Sequence, residues 1–129
     1  MKNNILVLCL LISTTAFAGV AEDVLSEFAK TEKTPFSAER GEKFFRTERV
    51  NSKGEKVSCM TCHTDNPKKQ GMTRANKVIE PMAVSVNAER FTDKAKIEKW
   101  FKRNCNDVYE RECTTLEKGD FMKYMMSIK

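Results

Sequence analysis

Residues 59–63 read Cys-Met-Thr-Cys-His, and His63 is the only histidine among 129 residues. No other feature restricts the fold as strongly. A Cys-x-x-Cys-His run is the attachment signal of c-type haem. Two thiols three residues apart stand on one turn of backbone and can add to both vinyl groups of a single porphyrin. The adjacent histidine is thereby held under the iron as its proximal ligand. Two other readings compete for these residues. A thioredoxin-like redox pair wants a strand–helix–strand setting, which the sequence lacks, and a zinc site wants two further ligands. One histidine also rules out sites built on two imidazoles, and most catalytic triads with them.

The start of the chain bears on where that chemistry takes place. Lys2, an apolar run over residues 5–12 and the closing Ala16-Phe17-Ala18 form a secretory signal, expected to be cleaved after Ala18. The run is too short to span a bilayer. Cys9 follows a bulky Leu8, which argues against lipoprotein processing. The mature domain is then 19–129, with 111 residues, four cysteines and a net charge reduced from +5 to +4 by the loss of Lys2. That length holds one domain. Beyond Gly19 no stretch is apolar enough to cross a membrane. The expected product is exported to a compartment where thiols can be oxidised, and it is not membrane-embedded. Its 23 Lys and Arg are interspersed with 18 Asp and Glu. No basic strip alternates with aromatic residues, so nucleic-acid binding is not expected. The charges form a solvated surface or a docking face for an acidic protein.

Apolar spacing predicts four helical segments. Val20, Val24, Leu25 and Phe28 form the first, followed by a linker at 31–35. Ser37 can cap a second that carries Gly41, Phe44 and Phe45. A third is expected over 91–103, with Thr92 at its start and Lys102 and Arg103 suiting the dipole at its end. The fourth, over 114–128, opens on the Thr114-x-x-Glu117 capping box and carries a stripe of Phe121, Tyr124, Met125 and Ile128. Residues 64–87 are mostly polar and loop-like, and no period-2 run argues for a sheet. The reading is all-α with long loops. So small a chain with so much loop buries little apolar surface, and an apolar cofactor would complete its core. Gly41-x-x-x-Phe45 resembles the N-terminal helix of class I cytochromes c, where a glycine lets that helix cross closely against an aromatic C-terminal helix.

The sixth iron position has several candidates: Met82, Asn104, a lysine, Tyr109, or none. Met82 follows Pro81 but lies only 19 residues beyond His63, a short route to the opposite face. Met122, Met125 and Met126 read as packing within the last helix. Ile97, Trp100, Phe101 and Asn104 share one helix face, apolar until it ends in an amide. Asn104 lies 41 residues past His63. The competing reading of Asn104 is a helix C-cap, which geometry alone favours. Pairing Cys105 with Cys113 closes a nine-residue loop, and in an oxidising compartment contributes about 2.5 kcal/mol.

The segments Arg90-Phe91-Thr92-Asp93, Lys99-Trp100-Phe101, Arg103-Asn104-Cys105-Asn106 and Arg111-Glu112-Cys113-Thr114 resemble the sphaeroides haem protein (SHP) family and its relative cytochrome c''. The likeness also takes in the Cys-x-x-Cys-His run, Gly71-x-Thr73-Arg74 and Ile79-x-Pro81 before Ser85, and covers roughly 39–128. It implies an all-α, class I cytochrome c-like single domain wrapped around one covalent haem c, here with an extra N-terminal helix. Cys59 and Cys62 would carry the thioethers and His63 the iron. Asn104 would be a weak distal ligand beside a Cys105–Cys113 disulfide, leaving on reduction so that oxygen or nitric oxide can bind. Trp100 and Phe101 are expected to line the pocket, and Arg74 and Lys77 are candidate partners of the haem propionates. The implied electron donors are a dihaem c-type cytochrome and a membrane b-type cytochrome, in a Gram-negative periplasm. Terminal oxidase or oxygen and nitric oxide reductase chemistry would be the enzymatic extension. The contrasting function is a plain electron shuttle with His63 and Met82 permanently on the iron.

Overall fold

Helix α1 (Val20–Phe28) forms where the first apolar stripe predicts it, with Val24 and Leu25 buried and Glu22 and Asp23 in its first turn, where acids suit the dipole. A computed structural model describes residues 19–129, so the expected signal segment lies outside the described residues. Ser37 starts α2 (Ala38–Arg46) by accepting the Arg40 N–H at 3.3 Å. Thr114 starts α5 (Thr115–Ser127) with both halves of the capping box: its hydroxyl accepts the Glu117 N–H, and the Glu117 carboxylate accepts its own N–H at 2.8 Å. Each start follows from local chemistry that the sequence displays.

Helices α2 and α5 cross so closely that a Cβ on Gly41 would stand 2.0 Å from the Asp120 carbonyl oxygen. Phe45, fully buried, fills the crossing against Phe121 and Tyr124, with ring centroids 6.4 and 5.9 Å away. Helix α5 buries more than the expected stripe. Gly119, Asp120 and Met122 are buried beside Phe121, Tyr124 and Met125, because α1 and α2 both pack on it. The buried Asp120 carboxylate accepts the Ser37 N–H at 2.6 Å and the Arg40 Nε and Nη2 hydrogens at 2.8 and 2.9 Å. It thereby ties the start of α2 to the middle of α5. Asp120→Ala leaves the Ser37 N–H without its partner and is expected to cost about 2 kcal/mol. Urea unfolding of the holoprotein should show a lower midpoint at unchanged slope.

Helix α4 (Lys94–Tyr109) departs from expectation at both ends. Asp93, not Thr92, is its N-cap, accepting the Lys96 N–H at 3.0 Å, while the Thr92 hydroxyl donates to the Glu89 carbonyl. The helix continues past Arg103 to Tyr109, and Glu110 closes it with φ 53°. Buried Cys105 and the Tyr109 ring, stacked on Phe44 at 4.7 Å, hold the extra turns in place. Tertiary contact outweighs weak local propensity there. Within the expected loop region, β3 (Gly71–Met72) pairs antiparallel with β4 (Val78–Ile79), and just before the haem motif β1 (Arg49–Val50) pairs with β2 (Lys56–Val57). Two-residue ladders are too short to leave an alternating pattern.

Candidate haem site

The Cys-x-x-Cys-His run is itself a single helical turn, α3 (Met60–His63), in which the N–H groups of Cys62 and His63 both reach the Cys59 carbonyl. Two neighbours brace it. The Thr61 hydroxyl accepts the N–H of buried Ser58 at 2.9 Å, giving a position inside the motif a structural task. On the other side Gly71 of β3 lies so close that a Cβ would meet the Cys62 carbonyl oxygen at 2.0 Å. Immediately after His63 the chain turns away through Thr64, at φ 61° and ψ 176°. A β-branched residue is strained in that region, and the strain ends the turn at the histidine.

Cys59 and Cys62 are free thiols, both partly buried. Burial pushes the Cys59 thiol up to about 12, so it is a neutral SH. Burial, with the nearby Arg90 charge second, holds His63 down at about 4. The imidazole is therefore neutral at physiological pH, the form that ligates a metal. Its Nδ1 is the one fully buried side-chain nitrogen or oxygen among the described residues with no hydrogen-bond partner. Such an orphan costs about 1–3 kcal/mol. The protein alone does not use this ring's bonding capacity. Two free thiols on one turn beside such a ring suit a covalently attached haem. Among the described residues no group of three or more His, Cys, Asp or Glu is placed to hold a metal ion, so a zinc site lacks its second pair.

The other expected residues fall into three places. Asn104 lies partly buried within α4 and next to Cys105, which is bonded to Cys113 with their Cα atoms 5.6 Å apart. Phe101 is buried, its ring edge-on to Phe121 at 5.7 Å. Trp100 is 44% exposed, with Lys99 Nζ and the Arg103 guanidinium 5.8 and 5.5 Å from its ring centre. Met82 is buried in the core cluster, its N–H bound to the Pro67 carbonyl at 2.8 Å. Tyr109 donates its hydroxyl to the Phe44 carbonyl at 2.8 Å, and burial pushes its phenol upward. Arg74 is exposed and paired with Glu55 at 3.5 Å, and Lys77 is also exposed. Sequence reading gave Arg90 no role, yet its charge is felt at His63. A single arginine inside a loop carries no spacing signal that could have marked it.

A Cys-x-x-Cys-His turn set among packed helices defines a class, the c-type cytochromes with one haem. Comparison then identifies the family. Residues 31–125 match the family model of a domain of unknown function, DUF1924. The chain is 36% identical over 122 residues to the cytochrome c-type protein SHP of Cereibacter sphaeroides, an alignment spanning 93% of this chain and 95% of that one. The structure of oxidized SHP, described as an oxygen-binding cytochrome c, superposes with a TM-score of 0.78 at 36% identity, over 84% of this chain and 96% of its own. A solution structure of cytochrome c'' from Methylophilus methylotrophus, concerned with haem-ligand detachment, superposes at 0.72 with 31% identity, over 84% and 93%. The chain therefore belongs to the SHP family of c-type cytochromes, which have an all-α fold and one covalent haem c. Among the described residues no helix is long and apolar enough to cross a membrane.

Proposed function

We propose that the mature chain, 19–129 after cleavage at Ala18, is a periplasmic one-haem cytochrome that accepts electrons and binds small diatomic ligands. Cys59 and Cys62 form the thioethers, His63 is the proximal ligand, and Asn104 is a displaceable distal ligand. When bound, haem supplies an iron that cycles between ferric and ferrous states and, as ferrous, takes oxygen or nitric oxide. A dihaem c-type cytochrome and a membrane b-type cytochrome are the electron donors implied by the resemblance.

The role of Asn104 rests on one observation. Helix α4 runs past it to Tyr109, and Glu110 takes the left-handed C-cap position, so Asn104 is not needed to end the helix. Its carboxamide also makes no hydrogen bond to another described residue. A carboxamide oxygen is a hard, weak donor that suits ferric iron and competes poorly for ferrous iron. Asn104 would hold the ferric iron weakly and, once displaced, could donate a hydrogen bond to a bound ligand, with the Cys105–Cys113 bond limiting its travel. The shuttle alternative has less support, since Met82 is packed into the core cluster.

Ferric absorption and electron paramagnetic resonance test this directly. A high-spin ferric spectrum with rapid carbon monoxide uptake after reduction is expected. A low-spin spectrum with a methionine-to-iron charge-transfer band would establish the shuttle instead. Asn104→Val should give five-coordinate ferric haem and a roughly tenfold change in ligand dissociation, the worth of one hydrogen bond. An unchanged ferric spectrum removes Asn104 from the site.

A further inference from the structure

We propose that Arg90 binds a carboxylate of the haem, a role that rests on the covalent haem reading above. Arg90 is only partly exposed, and its side chain reaches neutral acceptors alone. Nη2 donates to the Glu80 and Pro81 carbonyls at 2.7 and 3.0 Å, and Nε donates to the Pro81 carbonyl at 3.1 Å. No carboxylate among the described residues lies within ion-pair distance of it. The Glu80 carboxylate acts on it only from beyond that distance and is itself bonded to Gln70, so a partly buried guanidinium held by neutral carbonyls keeps an incompletely compensated charge.

The backbone is built to keep Arg90 in this position. Phe91, the next residue, adopts φ 62°, a left-handed conformation that strains a bulky side chain. Asn87 closes the same loop by donating Nδ2–H to the Pro81 carbonyl at 3.0 Å. The loop therefore presents a cation whose Nη1 makes no hydrogen bond to another described residue, held on the Glu80 carbonyl next to Ile79, which pairs with the Gly71 that abuts the Cys62 and His63 backbone. A haem linked through Cys59 and Cys62 brings two carboxylates to that neighbourhood, and a guanidinium fork matches carboxylate geometry. Arg74 is already engaged by Glu55, and both Arg74 and Lys77 are exposed.

The test compares four purified holoproteins: the unsubstituted protein, Arg90→Gln, Arg90→Lys and Arg74→Gln. Redox-difference infrared spectra report the haem carboxylates, and dye titration reports the reduction equilibrium. Both Arg90 variants should move the carboxylate band, whereas Arg74→Gln should not. Losing a cation near the iron favours the ferric state, so Arg90→Gln should shift the equilibrium about tenfold toward it. Arg90→Lys, which keeps the charge but cannot reproduce the fork of carbonyl bonds, should stay within about threefold of the unsubstituted protein. A band unmoved in Arg90→Gln and Arg90→Lys overturns the proposal, as does a lysine variant that recovers none of the glutamine variant's shift. If Arg90→Gln does not accumulate, the band in Arg90→Lys decides alone. Failure of the haem reading itself would look different: the unsubstituted protein would give no haemochrome band.

Discussion

Replacing Cys59 and Cys62 together by serine is expected to give a colourless chain with no covalent haem and little folded protein. A hydroxyl does not add to a porphyrin vinyl group as a thiol does, so the variant loses both attachment points at once. The structural cost follows from how the chain distributes its core. The buried cluster is built mainly from α1, α2, α4 and α5, and from the long segment between α3 and α4 it takes Met82. That segment is otherwise held by one two-residue ladder, turns, the Arg90 loop and a Val84 N–H to Met125 carbonyl bond at 3.2 Å. Without a haem beside it, the segment has little apolar surface to pack on. Haem-stained gels and intact mass should show the group missing, and the yield of folded protein should fall at least tenfold. A single Cys59→Ser or Cys62→Ser change should keep one thioether and part of the colour. A double variant that purifies red with covalent haem would sink the assignment.

What was legible in the sequence was local chemistry. Ser37 and Thr114 mark helix starts because a side-chain oxygen three residues before a free N–H leaves its signature in the order of residues. The close crossing was legible as Gly41 and Phe45 facing an aromatic stripe. The haem turn was legible because its three reactive residues are consecutive or nearly so. The missed features depend on partners far along the chain. Asp120 looks like a surface acid until Arg40 and Ser37, about 80 residues earlier, enclose it. Gly119 falls outside the expected stripe and is buried because the Phe36 ring, far back along the chain, covers it. The end of α4 was placed at a pair of cations that suit a helix dipole. The end observed is set by the Tyr109–Phe44 stack, whose two rings lie too far apart in the chain to leave a local pattern. Arg90 is illegible for the same reason, since only the fold shows that its side chain bonds to the Glu80 and Pro81 carbonyls and to no carboxylate among the described residues.

Gly41→Val should destabilise the holoprotein by about 4 kcal/mol, near the upper end for single substitutions. The added Cβ would meet the Asp120 carbonyl oxygen at 2.0 Å, its carbon at 2.6 Å and the Tyr124 Cβ at 2.8 Å. The first two are backbone atoms that no rotamer change can move. Helices α2 and α5 must separate, which pulls Phe45 from Phe121 and Tyr124 and stretches the Asp120 bonds to Ser37 and Arg40. Gly41→Ala puts two effects in opposition. Helix propensity favours alanine by about 1 kcal/mol, but the same Cβ clash remains, so a net loss is still expected. For a domain of this size, 4 kcal/mol lowers the melting temperature by roughly 15–30 °C. The haem should stay attached, since thioether bonds at Cys59 and Cys62 would be covalent and survive a separation of α2 and α5. A red protein with a strongly lowered melting point is therefore the specific outcome. Gly54→Ala is the control. Gly54 has φ 79° with open space around its Cβ position, so only its own backbone strain, about 1 kcal/mol, should register. If Gly41→Ala melts within a few degrees of the unsubstituted protein, the helices are not locked by backbone contact at this crossing.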